Sequence, residues 1–305
     1  MSFLKDLVTL RNPASEFSFL CYLHSRGRLV DFINHKNLFP LRVEFHDYFE
    51  WAAAKVDDLV AYHHEVVAVH PVVQDGTVLC FEVLARVGAG SDPVPYRARN
   101  LVLSMGLEPY LPDGVVAGAR VWHSSELLPR IEDLIDGRPT RFTVVGAGQS
   151  AAEVTAFLHR KFPRTEVCAV FSRYGYSPAD DSAFANQIFD PAAVEQFFMA
   201  PEDVKRMLMN YHGNTNYSVV DLELIDDLYR RVYQERALGV ERLRIFNVSR
   251  VGEVRETENG VRITVESLAT GERTLLESDV LIYATGYRPA DPLQLLGGLG
   301  PIPLT

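Results

Sequence analysis

Apolar residues at Phe45, Tyr48, Phe49 and Ala52 follow an i, i+3, i+4, i+7 rhythm. This predicts an amphipathic helix over residues 43–55, with Trp51 beside its apolar face. From Leu59 to Val73 β-branched residues take over, Asp75-Gly76 supplies a turn, and Thr77 to Val83 reads as the partner strand. Val87 to Pro95 is rich in glycine and proline and is expected to be a surface loop. Two later stretches share a form. Residues 100–106 run into Leu107-Glu108-Pro109, and residues 279–286 run into Tyr287-Arg288-Pro289. Each reads as a buried strand ending in Gly-x-x-Pro, where glycine permits a tight turn and proline blocks further pairing. They flank a third pattern, which predicts one domain interrupted by another.

That third pattern is strand, glycine turn and helix: Arg141-Phe142-Thr143-Val144-Val145-Gly146-Ala147-Gly148-Gln149-Ser150-Ala151-Ala152-Glu153. Gly146 suits the tight turn, Gly148 lets backbone approach a pyrophosphate, and Ala151 permits close helix packing. The helix N-terminus then offers unpaired N–H groups to phosphate. A glycine-rich turn that binds nothing is the competing reading, and the strand and helix on either side favour dinucleotide binding. The next strand, residues 166–171, ends in Ser172-Arg173 rather than in the acid that usually binds a ribose 2′-OH. A guanidinium suits a 2′-phosphate, so NADPH is favoured over NADH. Glu166 begins that strand and lies at its wrong end. Gly88-Ala89-Gly90 precedes Pro93 and Pro95, so no helix and no second phosphate cradle are expected there.

Composition narrows the partners. At roughly 150 residues per domain, 305 residues suggest two domains. A hydrophobic content of 47% with 23% charged residues describes a soluble globular chain and argues against disorder. Thirty basic against 40 acidic side chains leave a formal charge of −10, which argues against nucleic acid as a partner. No apolar run approaches the roughly 18 residues of a membrane span, and no signal peptide is evident at the start. Cys21, Cys80 and Cys168 are far apart, which fits a reduced cytoplasm with neither a disulfide framework nor a thiolate metal site. His63-His64 are neighbours on a strand and point to opposite faces, so they do not readily share a metal ion. Asp180-Asp181 reads as a polar loop rather than a carboxylate pair.

With these features placed, nearly the whole chain resembles the flavin-dependent N-hydroxylating monooxygenases of siderophore biosynthesis. This is the L-ornithine N5-monooxygenase and L-lysine N6-monooxygenase family, and the actinobacterial ornithine type is the most similar. The resemblance rests on residues 2–13, 17–20, 28–32 and 39–45, on Gly146 to Glu153, and on residues 182–186, 215–220 and 284–287. It implies an α/β, two-dinucleotide-binding-domain flavoprotein fold. An NADPH-binding Rossmann domain (123–243) would be inserted into an FAD-type domain made of 1–122 and 244–305. It implies N-hydroxylation of the side-chain amine of L-ornithine, with O2, FAD and NADPH, for hydroxamate siderophores. L-Lysine is the alternative substrate, and a non-catalytic NADP-binding protein is a second alternative. By the same resemblance Lys5, Asn186 and Asn216 hold the amino-acid end of the substrate. Arg42 lies beside flavin and nicotinamide, and the backbone of Val66 meets the flavin. Gln149, Ser150, Tyr217 and Ser218 lie near NADP, together with Gly146, Gly148 and Arg173, and Gly286 borders the cofactor. A homo-tetramer is implied.

Family members carry a G-x-G-P flavin loop before the motif that opens this chain, and a further segment after the one matching residues 284–287. The stretch is therefore expected to be a fragment or a mis-started gene product of such an enzyme, with impaired flavin binding.

Overall fold

The computed structural model describes residues 6–8, 12–88, 90–180, 182–215 and 218–296. In chain order its elements begin with α1 (Phe19–Ser25), α2 (Leu29–His35), α3 (Arg42–Ala54), β1 (His64–Gln74), β2 (Thr77–Val87) and β3 (Val94–Ala98). Next come β4 (Leu107–Pro109), β5 (Val121–His123), α4 (Leu127–Ile131), β6 (Arg141–Val145), α5 (Gln149–Lys161) and β7 (Glu166–Val170). Three helices follow: α6 (Pro191–Met199), α7 (Glu202–His212) and α8 (Leu222–Ala237). The last strands are β8 (Leu243–Phe246), β9 (Ser249–Thr257), β10 (Gly260–Ser267), β11 (Arg273–Ser278), β12 (Val280–Tyr283) and β13 (Tyr287–Pro289). The chain divides into two compact units. One comprises Met1–Met105, Ile188–Ala200 and Asp291–Thr305, the other Gly106–Gln187 and Pro201–Ala290. Among the described residues no helix is long and apolar enough to cross a membrane.

The first unit has an aromatic core. Helix α3 forms where the periodicity places it and buries Tyr48 and Ala52. Phe19, Tyr22, Leu23 and Tyr48 are fully enclosed, with Phe32, Phe45 and Trp51 packed around them. Phe19 meets Tyr48 edge-on at 5.3 Å, a favourable quadrupole arrangement. Both buried tyrosines have partners for their hydroxyls. Tyr48 donates to the Phe17 carbonyl (2.6 Å), and Tyr22 donates to Asp47 (2.6 Å), which also takes Arg28 at 2.9 Å.

The hairpin β1–β2 closes on Asp75-Gly76, both at positive φ (50° and 78°), the turn whose twist matches paired strands. Its first strand starts later than expected. Asp57–Leu59 makes a 3-10 turn, and pairing begins only at His64. The loop expected over residues 87–95 is shorter too, because Val94 and Pro95 pair with Ala85 and Leu84 as the start of β3. Proline is tolerated there because β3 is an edge strand, so the missing N–H costs no ladder bond.

The second unit is built on a five-stranded parallel sheet in the order β5-β12-β6-β7-β8. β6 is central, and Phe142, Thr143 and Val144 are wholly buried, as a strand covered on both faces requires. Alternate residues serve opposite faces. Phe142, Val144, Val280 and Ile282 pack with α5 and α8, which contribute Leu158 and Leu228. Cys168, Val170, Leu281 and Tyr283 pack on Ile263, Val265 and Leu276 of the antiparallel sheet β9–β11. This unit is wider than the 123–243 expected for the inserted domain. β12, from residues 280–283, is hydrogen-bonded between β5 and β6, so the sheet cannot close without it.

One expectation is corrected. Residues 100–106 do not form a buried strand. They carry no regular structure, and Val102 is 91% exposed. The two Gly-x-x-Pro tracts instead pair with each other. β4 and β13 are antiparallel, with Leu107 opposite Pro289 and Pro109 opposite Tyr287. Prolines at the ends of a two-stranded ribbon interrupt nothing.

Helices α5 and α8 are locked to β8 by a polar cluster. The Glu235 carboxylate accepts from the N–H groups of Arg242 (2.8 Å) and Leu243 (2.6 Å) and lies 2.7 Å from His159 Nε2. Burial, joined by the Arg242 and Arg231 charges and opposed by Glu235, holds His159 below its usual 6.5. Burial works against the Glu235 charge, but the Leu243 N–H, His159 and the Arg242 N–H outweigh it and hold the carboxyl below its usual 4.5. Both depressions act in one direction. Their stabilisation is complete above the unfolded value and is lost as pH falls through the folded one. The melting temperature is therefore expected to fall on acidification from about pH 6.5, first through His159 and at lower pH through Glu235. His159→Gln should flatten the upper part of that fall in calorimetric scans against pH. An unchanged profile in the variant would contradict this account.

Candidate functional site

The C-terminal ends of β6 and β7 gather six of the described residues that the sequence points to: Gly146, Gly148, Gln149, Ser150, Arg173 and Ser218. β6 runs into Gly146, whose N–H bonds the Val170 carbonyl (3.1 Å), and α5 then starts at Gln149 with Gly148 as its N-cap. Gly146 sits at φ 140°, a conformation that side chains rarely adopt. A Cβ there would run into the Ala284 carbonyl and come within 3.2 Å of the Ala151 methyl. Glycine is thus required at this position by the protein's own packing. Gly148 differs. Its φ is −96°, and a Cβ would meet nothing nearer than Ser218 Cα at 3.5 Å, an ordinary contact. The fold itself would accept a side chain at residue 148, so the protein's own packing does not demand glycine there.

No side chain caps α5. The first-turn N–H groups of any helix have no intrahelical partner, so this end presents donors and the positive end of the helix dipole outward. Gln149 is engaged elsewhere. Its Nε2 donates to Asp221 (2.8 Å) and Glu153 (3.0 Å), and its Oε1 accepts from the Asp221 N–H (2.8 Å). It ties α5 to the start of α8, which keeps the glycine turn in place. Ser150, the next residue, is exposed in the first turn.

Arg173 lies on the loop after β7. Its backbone carbonyl accepts from Val248 N–H (2.9 Å), and its guanidinium donates to the Ser218 carbonyl (2.9 Å). Ser218 is at φ 57°, so a left-handed turn puts its carbonyl in the guanidinium's reach. Arg173, Ser177, Asp180, Asn210 and Ser218 line a cavity of about 660 Å³. Hydrogen bonds from Ser182 hold the Asp180 carboxyl below its usual range, so Asp180 carries charge on a well-formed loop turn. Glu166 sits at the other end of β7, paired with Arg141 (3.0 Å) and Arg244 (3.1 Å). It plays no part at this end of the sheet.

Gly286, at φ 82°, follows β12. Its carbonyl accepts from Tyr110 N–H (2.9 Å) and His123 Nε2 (3.0 Å). His123 is 2% exposed, and its Nδ1 accepts from Ser125 N–H (3.2 Å). Sequence reading missed both His123 and Asp221. Neither has a local signal, because each acts on a turn more than 70 residues away. Asn186 lies in the 3-10 turn Ala185–Phe189, where its Nδ2 donates to the Ser182 carbonyl (3.1 Å). Arg42 opens α3, and Val66 is paired with Ala85 beside a β-bulge in β1; both belong to the first unit. Lys5, Asn216, Tyr217 and Asp181 lie outside the described residues. Burial pushes the Cys168 thiol far above its ordinary range, which leaves it inert. Among the described residues no cluster of three or more metal-ligating side chains occurs.

Residues 1–289 match the family model described as L-lysine 6-monooxygenase/L-ornithine 5-monooxygenase. The chain is 40% identical to an L-ornithine N(5)-monooxygenase of Burkholderia cepacia, over 99% of this chain and 69% of that protein. It superposes on the ornithine N-hydroxylase of Kutzneria sp. 744, solved with reduced FAD, NADP+ and L-ornithine, with a TM-score of 0.90 and 47% identity. That match covers 97% of this chain and 71% of the other. The reduced ornithine hydroxylase of Pseudomonas aeruginosa gives 0.89 and 33% identity, over 98% and 71%. The architecture is accordingly that of these flavin enzymes, with two dinucleotide-binding domains. With this family model matched over residues 1–289 and these identities over nearly the whole chain, the chain belongs to the L-lysine 6-monooxygenase/L-ornithine 5-monooxygenase family.

Proposed function

We propose that this protein is an FAD- and NADPH-dependent L-ornithine N5-monooxygenase of hydroxamate siderophore biosynthesis, working in the cytoplasm as a homo-tetramer. The observation that carries the reading is the 47% identity and TM-score of 0.90 to an ornithine N-hydroxylase holding reduced FAD, NADP+ and L-ornithine. The uncapped end of α5 fits a dinucleotide pyrophosphate, because a Cβ at Gly148 would fill the space that the phosphates need.

In this reading the first-turn N–H groups of α5 hold the pyrophosphate, with Ser150 beside them. Arg173 takes the 2′-phosphate while Ser218 keeps its guanidinium in place, and Tyr217 lies along the nucleotide. Gln149 positions the turn through Asp221. Reduced FAD, when bound, supplies the electrons that activate O2 for transfer of one oxygen atom to the amine. For the flavin, the family resemblance assigns Arg42 as a cation and the Val66 backbone as a contact in the first unit, and it separately assigns Gly286 in the second. The described residues hold no second strand, glycine turn and helix in succession. Lys5 pairs with the ornithine carboxylate, and Asn186 and Asn216 bond the α-amino and carboxylate groups. They hold the substrate by the end remote from the reacting nitrogen. That nitrogen must arrive unprotonated, since the oxygen needs its lone pair, and a pocket that excludes water favours the neutral form.

Two results test this reading. Protein reconstituted with FAD and given NADPH and O2 should form hydroxylamine from L-ornithine, and about tenfold less from L-lysine, the discrimination that one methylene allows. Product from lysine alone, or from neither amine in protein whose absorbance shows bound FAD, overturns it. The two glycines should also separate. Gly146→Ala should cost about 2 kcal/mol or more of stability in denaturant titrations, from strain and overlap. Gly148→Ala should stay within about 1 kcal/mol of wild type yet bind NADP+ about tenfold more weakly or worse. Unchanged NADP+ affinity in a folded Gly148→Ala protein removes the pyrophosphate from this turn.

A further inference from the structure

Helix α8 has two faces of different character. Leu224, Ile225, Leu228 and Val232 turn inward and pack with the helix-covered side of the parallel sheet. On the opposite side Leu222, Asp226, Tyr229, Tyr233 and Arg236 succeed one another at spacings of four, three, four and three residues. That alternation is the 3.5-residue period of a helix seam, and it keeps all five on one stripe. The stripe is bare. Leu222 is 60% exposed, Tyr229 75% and Tyr233 68%.

The charges on the stripe are also unspent. The arginines between them, Arg230 and Arg231, both turn to Asp227. Neither Asp226 nor Arg236 has an ion-pair partner among the described residues. Their order reads the same from both ends. A two-fold axis at the level of Arg231, halfway between the tyrosines, would lay a second α8 antiparallel on the first. Asp226 and Arg236 stand five residues on either side of that level, about 7.5 Å along the helix, so each would face the other's counterpart. Tyr229 would meet Tyr233. A contact between identical surfaces demands this self-complementary order, whereas a foreign partner demands no symmetry at all.

We propose that the outer face of α8 is a two-fold contact with a second copy of this chain, closed by two Asp226–Arg236 ion pairs around a stack of four tyrosine rings. The proposal names one interface of the homo-tetramer suggested above and rests on that assembly, but on no part of the catalytic reading. Sedimentation velocity across a micromolar concentration series tests it, with FAD-reconstituted protein and with the variants Asp226→Arg, Arg236→Asp and their combination. Each single reversal puts like charges together twice per interface. Dissociation across one two-fold should become easier by about tenfold or more. The double variant restores opposite charges in exchanged positions and should return to within about threefold of wild type. Melting curves matching wild type establish that the variants fold. A wild-type oligomer indifferent to the single reversals overturns the α8 contact and leaves the assembly standing. A wild-type monomer overturns both. Loss of association in the double as well as the single variants also overturns the pairing.

Discussion

The second unit depends on the close approach of two strand ends. β12 lies against β6 in parallel register, with Tyr283 opposite Val145, and Ala284 N–H bonds the Val145 carbonyl at 2.8 Å. This brings the Ala284 carbonyl onto the Cα of Gly146, where no side chain can stand. The turn between β6 and α5 is thereby fixed in depth and direction, and α5 can only start with its N-terminus at the sheet's C-terminal edge. Asp279 secures the other end of the same strand pair by accepting from Thr140 (2.6 Å) and Arg141 (2.9 Å) N–H groups. A strand contributed by residues 280–283 therefore shapes a loop formed by residues 146–148. The chain could not have built this turn from the first strand and helix alone.

Several features were legible because their causes are local. The rhythm of Phe45, Tyr48 and Ala52 is enough to specify α3, and Asp75-Gly76 can close a hairpin whatever surrounds it. The order of strand, glycine turn and helix over 141–161 was readable from residue type, whereas the Ala284 carbonyl that demands glycine at residue 146 was not. Residues 100–106 show where such reading fails. Their apolar composition suits a strand, but a strand needs a neighbour, and pairing begins only at Leu107. Likewise Pro95 looked like loop until the edge position of β3 made its missing N–H harmless.

The candidate site was legible in its glycines and not in its supports. Ser218 reaches the Arg173 guanidinium through a left-handed turn, Asp221 clasps Gln149, and His123 pins Gly286. These contacts join segments between 45 and 163 residues apart, so no window of sequence contains both partners. They are also contacts within the protein itself, which hold the C-terminal edge of the sheet without help from any ligand. Preorganised donors cost no reorganisation when a charged group binds, which suits a cofactor that must be held through a catalytic cycle.

Hydrogen–deuterium exchange with and without NADP+ tests the central claim most directly, because it reports on the α5 N–H groups themselves. The account predicts slowed exchange over Gln149 to Ala152 and on the loop carrying Arg173, with little change in β9 to β11. Unaltered exchange at the start of α5 under saturating NADP+ would contradict it.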